Sequence, residues 1–179
     1  MANAREIQSR MKSIKDTMKI TNAMYMISSS KLSKARTDLK NTEPYFFTMQ
    51  DALAKILMES PDAGNRFFDQ RPDLAPEDRK KGYIVVTADK GMAGAYNQNL
   101  LKFLREHADQ NDRFYVIGQV GYRALRKDPR LVKEFQYGAT APSLQRARDI
   151  TVDAIDDFKS GKLDEIYLVS VSYTHLTLP

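Results

Sequence analysis

The chain contains no cysteine among its 179 residues. Disulfides, thiolate metal sites and a cysteine nucleophile are therefore excluded. Histidine is almost as scarce, with only His107 and His175, which excludes a histidine-rich metal site. No run approaches the roughly 18 uncharged apolar residues that a membrane-spanning helix needs. The N-terminal stretch MANAREIQSRMKSIKD lacks the apolar centre of a secretory signal. It is also too helix-periodic and too mixed in charge for a cleaved transit peptide. These absences point to a cytoplasmic compartment.

A net charge of either sign is missing from most of the chain. The net charge is +5, but residues 1–40 hold nine Lys or Arg against three acids, a balance of +6. The remainder is close to neutral. Any partner attracted by basic charge must therefore meet the N-terminal segment.

Glycine and proline are absent before Pro44. Within that stretch Ile7, Met11, Ile14, Met18, Thr21, Tyr25, Ser28, Leu32, Ala35 and Leu39 recur at alternating steps of four and three. This is a heptad seam sustained over more than four repeats. The same register resumes after Pro44 at Phe46, Met49, Leu53 and Ile56, so the helix is expected to continue past a kink. Residues 5–40 alone predict a rod roughly 50 Å long. Such a rod cannot bury its seam against itself and needs a partner helix.

Its middle carries no charge on any face. From Ile20 to Ser30, ITNAMYMISSS, even the back of the helix is uncharged, and Ile20, Met24 and Ile27 form a second apolar stripe. A surface helix shows a polar back. The rod is thus expected to be enclosed on several sides at that level, as a helix crossing the middle of a large domain would be.

Residues 60–82 are rich in Pro, Asp and Arg and read as an exposed linker. The period then changes. GYIVVTA (82–88), RFYVIG (113–118) and DEIYLVSV (164–171) are β-branched and aromatic runs suited to buried strands, with LVKEFQY (131–137) a further candidate. Helical patterns lie between them at 95–108, 120–127 and 143–161, the last opened by Pro142 or Ser143 and followed by Gly161. Alternation of this kind predicts an α/β domain with a largely parallel sheet over 83–169.

One loop in that domain, VVTADKGMAGAYN (85–97), looks like the start of a nucleotide site. It fails the tests. A P-loop places Lys directly after its second glycine, where this chain has Ala95. The dinucleotide fingerprint needs a third glycine. A tight strand-to-helix turn is the simpler reading, with Asp89 satisfying backbone amides and Gly91 and Gly94 allowing close packing. No nucleophile–base pair or metal-ligand spacing appears, and Asp156/Asp157 and Asp164/Glu165 sit where solvated carboxylates are commonplace. No catalytic, cofactor-binding or metal residue is assigned.

Two distant segments together resemble one family, the γ subunits of F-type ATP synthases. AREIQSRMKSIKDTMKITNAMYMISSSKLSKA (4–35) is similar to that family's N-terminal helix, with its EI-x-x-R-M-x-S-I-x-x-T-x-x-IT-x-AM-x-M-I spacing. TADKGMAGAYNQN (87–99) is similar to its signature loop through Thr87, Asp89, Lys90, Gly91, Gly94 and Asn97, with Ala93 where Cys is frequent. Pro44-Tyr45 also fits. The likeness runs from residue 3 to about 169.

The resemblance implies a non-catalytic rotor shaft, without cofactor or small-molecule ligand, carrying a Rossmann-like domain inserted between two coiled helices. It implies contacts with the α and β subunits of the ring, the ε subunit and the membrane c-ring, at the cytoplasmic face of the bacterial membrane. Ile20, Met24 and Ile27 with Lys19 and Lys31 would meet the sleeve. Ile7, Met11, Ile14, Met18, Tyr25, Leu32 and Leu39 would form the seam. The family continues to a second long helix, whereas here SVSYTHLTLP follows EIYLV, and residues 170–179 are expected to be a non-native tail. Two other readings compete with this one. The basic helix could grip nucleic acid, with steep salt dependence. Alternatively, the strand–glycine–helix turn could belong to a small nucleotide-dependent enzyme.

Overall fold

The computed structural model describes residues 2–60, 67, 71–135 and 142–171. The chain divides into two units, one ending at Gly64 and the other beginning at Asn65.

The first unit is one helix, α1, from Ala2 to Glu59. Its 58 residues correspond to about 87 Å of rise. Pro44 lies inside it. Every position from Asn3 to Glu59 is exposed, including the whole seam. Five threonines, Thr17, Thr21, Thr37, Thr42 and Thr48, turn their hydroxyls back onto the carbonyl four residues earlier. That habit satisfies the hydroxyl but slightly weakens a helix.

The second unit is built from β1 (Lys81–Val86), α2 (Tyr96–His107), β2 (Arg113–Ile117), α3 (Gln119–Leu125), β3 (Leu131–Phe135), α4 (Leu144–Lys159) and β4 (Glu165–Val169). All strand pairings are parallel and the spatial order is β3-β2-β1-β4. This is the order of the first four strands of the Rossmann fold. The α/β expectation holds, and 131–135 is a strand; Gln136 and Tyr137 lie outside the described residues.

Alternation along β1 sorts its side chains between two cores. Tyr83 and Val85 pack with Leu104 of α2, Leu125 of α3, and Phe114 and Val116 of β2. Ile84 packs on the other face with Tyr115, Phe135, and Ala154 and Phe158 of α4. The period of two in the strands and the 3.6 period in the helices meet here, giving helix on both faces of the sheet. The Ser143 hydroxyl caps α4 by accepting from the Arg146 amide at 3.3 Å.

The structure corrects the sequence reading at β4. The run DEIYLVSV was expected to be a buried strand, yet Tyr167 is 45% and Leu168 70% exposed. The reason is position. Among the described strands β4 is the edge, so its residues lack a neighbour on one side.

A second correction concerns the carboxylates taken as solvated. Asp157 accepts hydrogen bonds from the Tyr115 hydroxyl at 2.6 Å, Arg113 at 3.2 Å and Lys162 at 3.1 Å. Burial alone would push its carboxyl up, but the bonds from Tyr115 and Lys162 and the Arg113 charge outweigh it and hold the group below the usual range. A depressed folded-state value stabilises above the unfolded value of about 3.9 and is lost as pH falls through the lower folded one. Asp157→Asn is therefore expected to cost about 1–3 kcal/mol at pH 7. The gap to wild type should narrow as pH falls below the unfolded value of about 3.9 and through the lower folded one. Urea melts between pH 7 and 2 measure this; a gap that stays constant over that range would refute it.

Candidate functional site

Two regions carry the residues singled out from the sequence: the exposed surface of α1 and the loop after β1.

On α1 the seam residues Ile7, Met11, Ile14, Met18, Tyr25, Leu32 and Leu39 are between 39% and 68% exposed. Ile20, Met24 and Ile27 each precede a seam position by one residue, so they lie about 100° around the helix from it. They are 62%, 44% and 58% exposed. Two apolar stripes thus run side by side, uncovered by any described residue of this chain. Lys19 approaches Asp16 at 3.4 Å, but both side chains are more than half exposed, and such a pair contributes about 0–1 kcal/mol. Lys31 makes no ion pair among the described residues. Exposed apolar bands of this extent mark an interaction surface.

The loop after β1 occupies the place where open α/β sheets bind ligands. β1 lies between β2 and β4, so the chain reverses direction across the sheet at the carboxyl end of β1. Here that end is filled by the protein's own groups. Thr87 is 1% exposed; its hydroxyl donates to the Ile117 carbonyl at 2.8 Å and accepts from the Gly121 amide at 3.0 Å. The Tyr96 hydroxyl donates to the Val86 carbonyl at 2.6 Å. Asn97, 7% exposed, accepts the Ala88 amide at 3.0 Å. Signature residues at both ends of the loop therefore clamp strand to helix. Lys90, Gly91 and Gly94 face solvent between them.

The turn differs from its sequence reading in two respects. The Ala88 amide is held by Asn97, whereas Asp89 Oδ1 is buried without a hydrogen-bond partner. Gly91 and Gly94 have open space where a Cβ would stand, so close packing is not their role. Gly94 is needed for its φ of +54°, in the left-handed region.

Against Thr87 the glycines that do permit close approach are Gly118 and Gly121, which the sequence reading passed over. A Cβ on Gly118 would stand 2.2 Å from the Thr87 carbonyl oxygen, and one on Gly121 2.6 Å from the Thr87 methyl. Their only sequence signal was their place directly after the strand RFYVI, in IGQVG. No cluster of three or more His, Cys, Asp or Glu that could hold a metal occurs among the described residues.

A family model described as ATP synthase matches residues 3–177, a span that includes most of the stretch expected to be a foreign tail. The gamma chain of ATP synthase from Acetivibrio thermocellus is 40% identical over 179 residues, covering 98% of this chain and 59% of its own length. That from Ruminiclostridium cellulolyticum is 42% identical, covering 93% of this chain and 58% of its own. A relative from Acetobacterium woodii, an ATP synthase gamma chain described as sodium ion specific, is 33% identical over 96% of this chain. The chain spans about three-fifths of the length of the relatives it matches. The readings as a nucleic-acid-binding module or a nucleotide-dependent enzyme find no support in these matches. With its helix motif and its loop motif both falling inside one family model that runs almost the whole length, the chain belongs to the ATP synthase gamma-chain family.

Proposed function

We propose that this chain forms the central shaft of an F-type ATP synthase, coupling ion flow, taken to be proton flow, to ATP synthesis on the α and β subunits. The observation that carries the reading is the uncharged, exposed band from Ile20 to Ser30 on a helix of 58 residues. A shaft turning within a sleeve needs such a band. A fixed charge at this level would find an opposite charge at some angles and not others, with about 4 kcal/mol per close pair at an effective dielectric constant of 20. Uncharged side chains keep those wells shallow.

In this reading the catalytic sites lie on the ring subunits and the chain itself carries none. Ile20, Met24 and Ile27 face the sleeve, with Lys19 and Lys31 flanking them, and the seam from Ile7 to Leu39 receives a second helix. The α/β domain meets the ε subunit and the c-ring at the cytoplasmic face of a bacterial membrane. No described helix is long and apolar enough to cross a membrane, which suits a peripheral place.

Ile27→Lys in the complete subunit tests the band. Ile27 is 58% exposed and contacts no core, so folding should change by about 0.5 kcal/mol or less. Coupled ATP synthesis and ATP-driven ion pumping in membrane vesicles should fall roughly tenfold, the effect of about 1.4 kcal/mol on a barrier. Rates equal to wild type in vesicles would remove the enclosed-shaft reading of this stretch.

A further inference from the structure

The stretch expected to be an exposed linker is held to the α/β domain at three described points. The Phe67 ring stacks on Phe158 of α4, with centroids 6.1 Å apart and planes 9° from parallel. The Arg71 guanidinium lies over the same Phe158 ring, 5.1 Å from its centroid, and forms an ion pair with Asp164. Asp164 is 8% exposed and also accepts the Lys80 amide at 2.9 Å. Arg79 gathers the turn between these points. It bonds Glu165 at 2.8 Å, the Arg71 carbonyl at 3.3 Å and the Leu74 carbonyl at 3.4 Å. Arg71 itself is held at φ +47°, a conformation that a residue with a Cβ seldom adopts without external contacts.

We propose that Arg71 and Arg79, with Phe67, latch this strap to the start of β4 and the end of α4, and so act as positioning residues that shorten the tether between α1 and the sheet. Chain geometry sets the scale. From Glu59 to Lys81 the chain could reach roughly 79 Å if nothing held it. With Phe67 fixed the reach is at most roughly 29 Å, and with Arg71 fixed roughly 43 Å. These limits hold whatever conformation the intervening residues take. The two acids that receive the latch belong to the pair Asp164/Glu165, which explains why they are adjacent and why they are drawn out of solvent. Glu165 is held below its usual range by the Tyr167 hydroxyl and by Arg79.

For a rotor, a short tether means less slack between the shaft helix and its α/β domain. That consequence rests on the function proposed above; the latch itself does not.

The absence of cysteine makes the test direct. Met58→Cys and Val152→Cys, exposed at 83% and 51%, place one spin label on each unit of the full chain. Pulsed electron–electron distance measurement in a dilute monomeric sample should give a distribution that widens at least about 1.5-fold in Phe67→Ala/Arg71→Ala/Arg79→Ala, which releases every described point of the latch. Phe67→Ala alone leaves Arg71 and Arg79 in place, lengthens the reach only from roughly 29 Å to roughly 43 Å and should give an intermediate width, which keeps the test open if the triple variant does not fold. A folded variant whose unfolding midpoint drops while its distance distribution matches wild type would show these three residues to be merely stabilising and would overturn the latch. That result would leave the shaft function standing, since Ile27→Lys tests it separately.

Discussion

Hydrogen exchange on a dilute, monomeric sample of this 179-residue chain is expected to separate its two units by roughly 1,000-fold. Amides of β1 and β2, whose side chains Val85, Phe114, Tyr115 and Val116 are fully buried, should exchange only through global opening. For a domain stable by about 5 kcal/mol that means protection of more than 1,000-fold. Amides of residues 7–39 should exchange nearly as fast as in an isolated helix. Helices in proteins owe most of their stability to packing of the apolar face, and every position of α1 from Asn3 to Glu59 is exposed. What remains within α1 is little: an exposed Arg10–Glu6 pair at 2.8 Å and the Lys19–Asp16 pair. Such pairs contribute about 0.2–0.5 kcal/mol each. The uncovered seam should also drive association as concentration rises. Extension of the chain to the full length of its relatives, with the second helix the resemblance implies, should slow exchange across 7–39 by at least about 100-fold. Slow exchange there in the unextended monomer would show that α1 is stable without a partner.

Gly118→Ala is expected to prevent stable folding of the α/β unit, at a cost of about 4 kcal/mol or more. Two effects add. The new Cβ would stand 2.2 Å from the Thr87 carbonyl oxygen and 2.7 Å from its carbonyl carbon, and backbone directly after β1, bonded through the Thr87 amide to the Ile117 carbonyl at 2.8 Å, has little room to give way. The φ of +95° also lies where side-chain-bearing residues are strained by roughly 1–3 kcal/mol. The neighbouring Thr87 hydroxyl, which ties Ile117 to Gly121, would be displaced with it. Gly91→Ala should change stability by about 0.5 kcal/mol or less, and Gly94→Ala should cost about 1 kcal/mol, through its positive φ alone. Denaturant melts of the three variants give the ranking. A Gly118→Ala protein as stable as Gly94→Ala would mean that the β1–β2 junction is far looser than the structure shows.

That ranking reverses the impression left by the sequence, where Gly91 and Gly94 stand in a conspicuous loop and Gly118 and Gly121 pass unnoticed. The difference is one of range. A glycine's φ is a local matter, and a strand–glycine–helix turn can be suspected from its neighbours in the chain. What a missing Cβ makes room for is a residue 31 positions away in the case of Gly118 and Thr87, and no pattern within a window of 15 residues carries that.

The sequence by itself determined the elements of this protein. The heptad of Ile7 to Leu39 specified a helix with one apolar seam, because side chains at steps of three and four share a face whatever surrounds them. Val-, Ile- and aromatic-rich runs between helical patterns specified a parallel sheet, because parallel strands need crossovers of helix length. The uncharged band at Ile20–Ser30 and the loop at Thr87–Asn97 were legible for the same reason, each being a contiguous stretch. Only the tertiary structure decided which groups those stretches face. It turned Thr87 and Asn97 inward to clamp strand to helix, and drew Asp157 and Asp164 from solvent into ion pairs with Arg113, Lys162 and Arg71. It also set β4 at the described sheet's edge with Leu168 uncovered. Burial depends on what lies opposite in space, and spatial opposition is fixed by strand order and helix packing rather than by the local period that the chain displays.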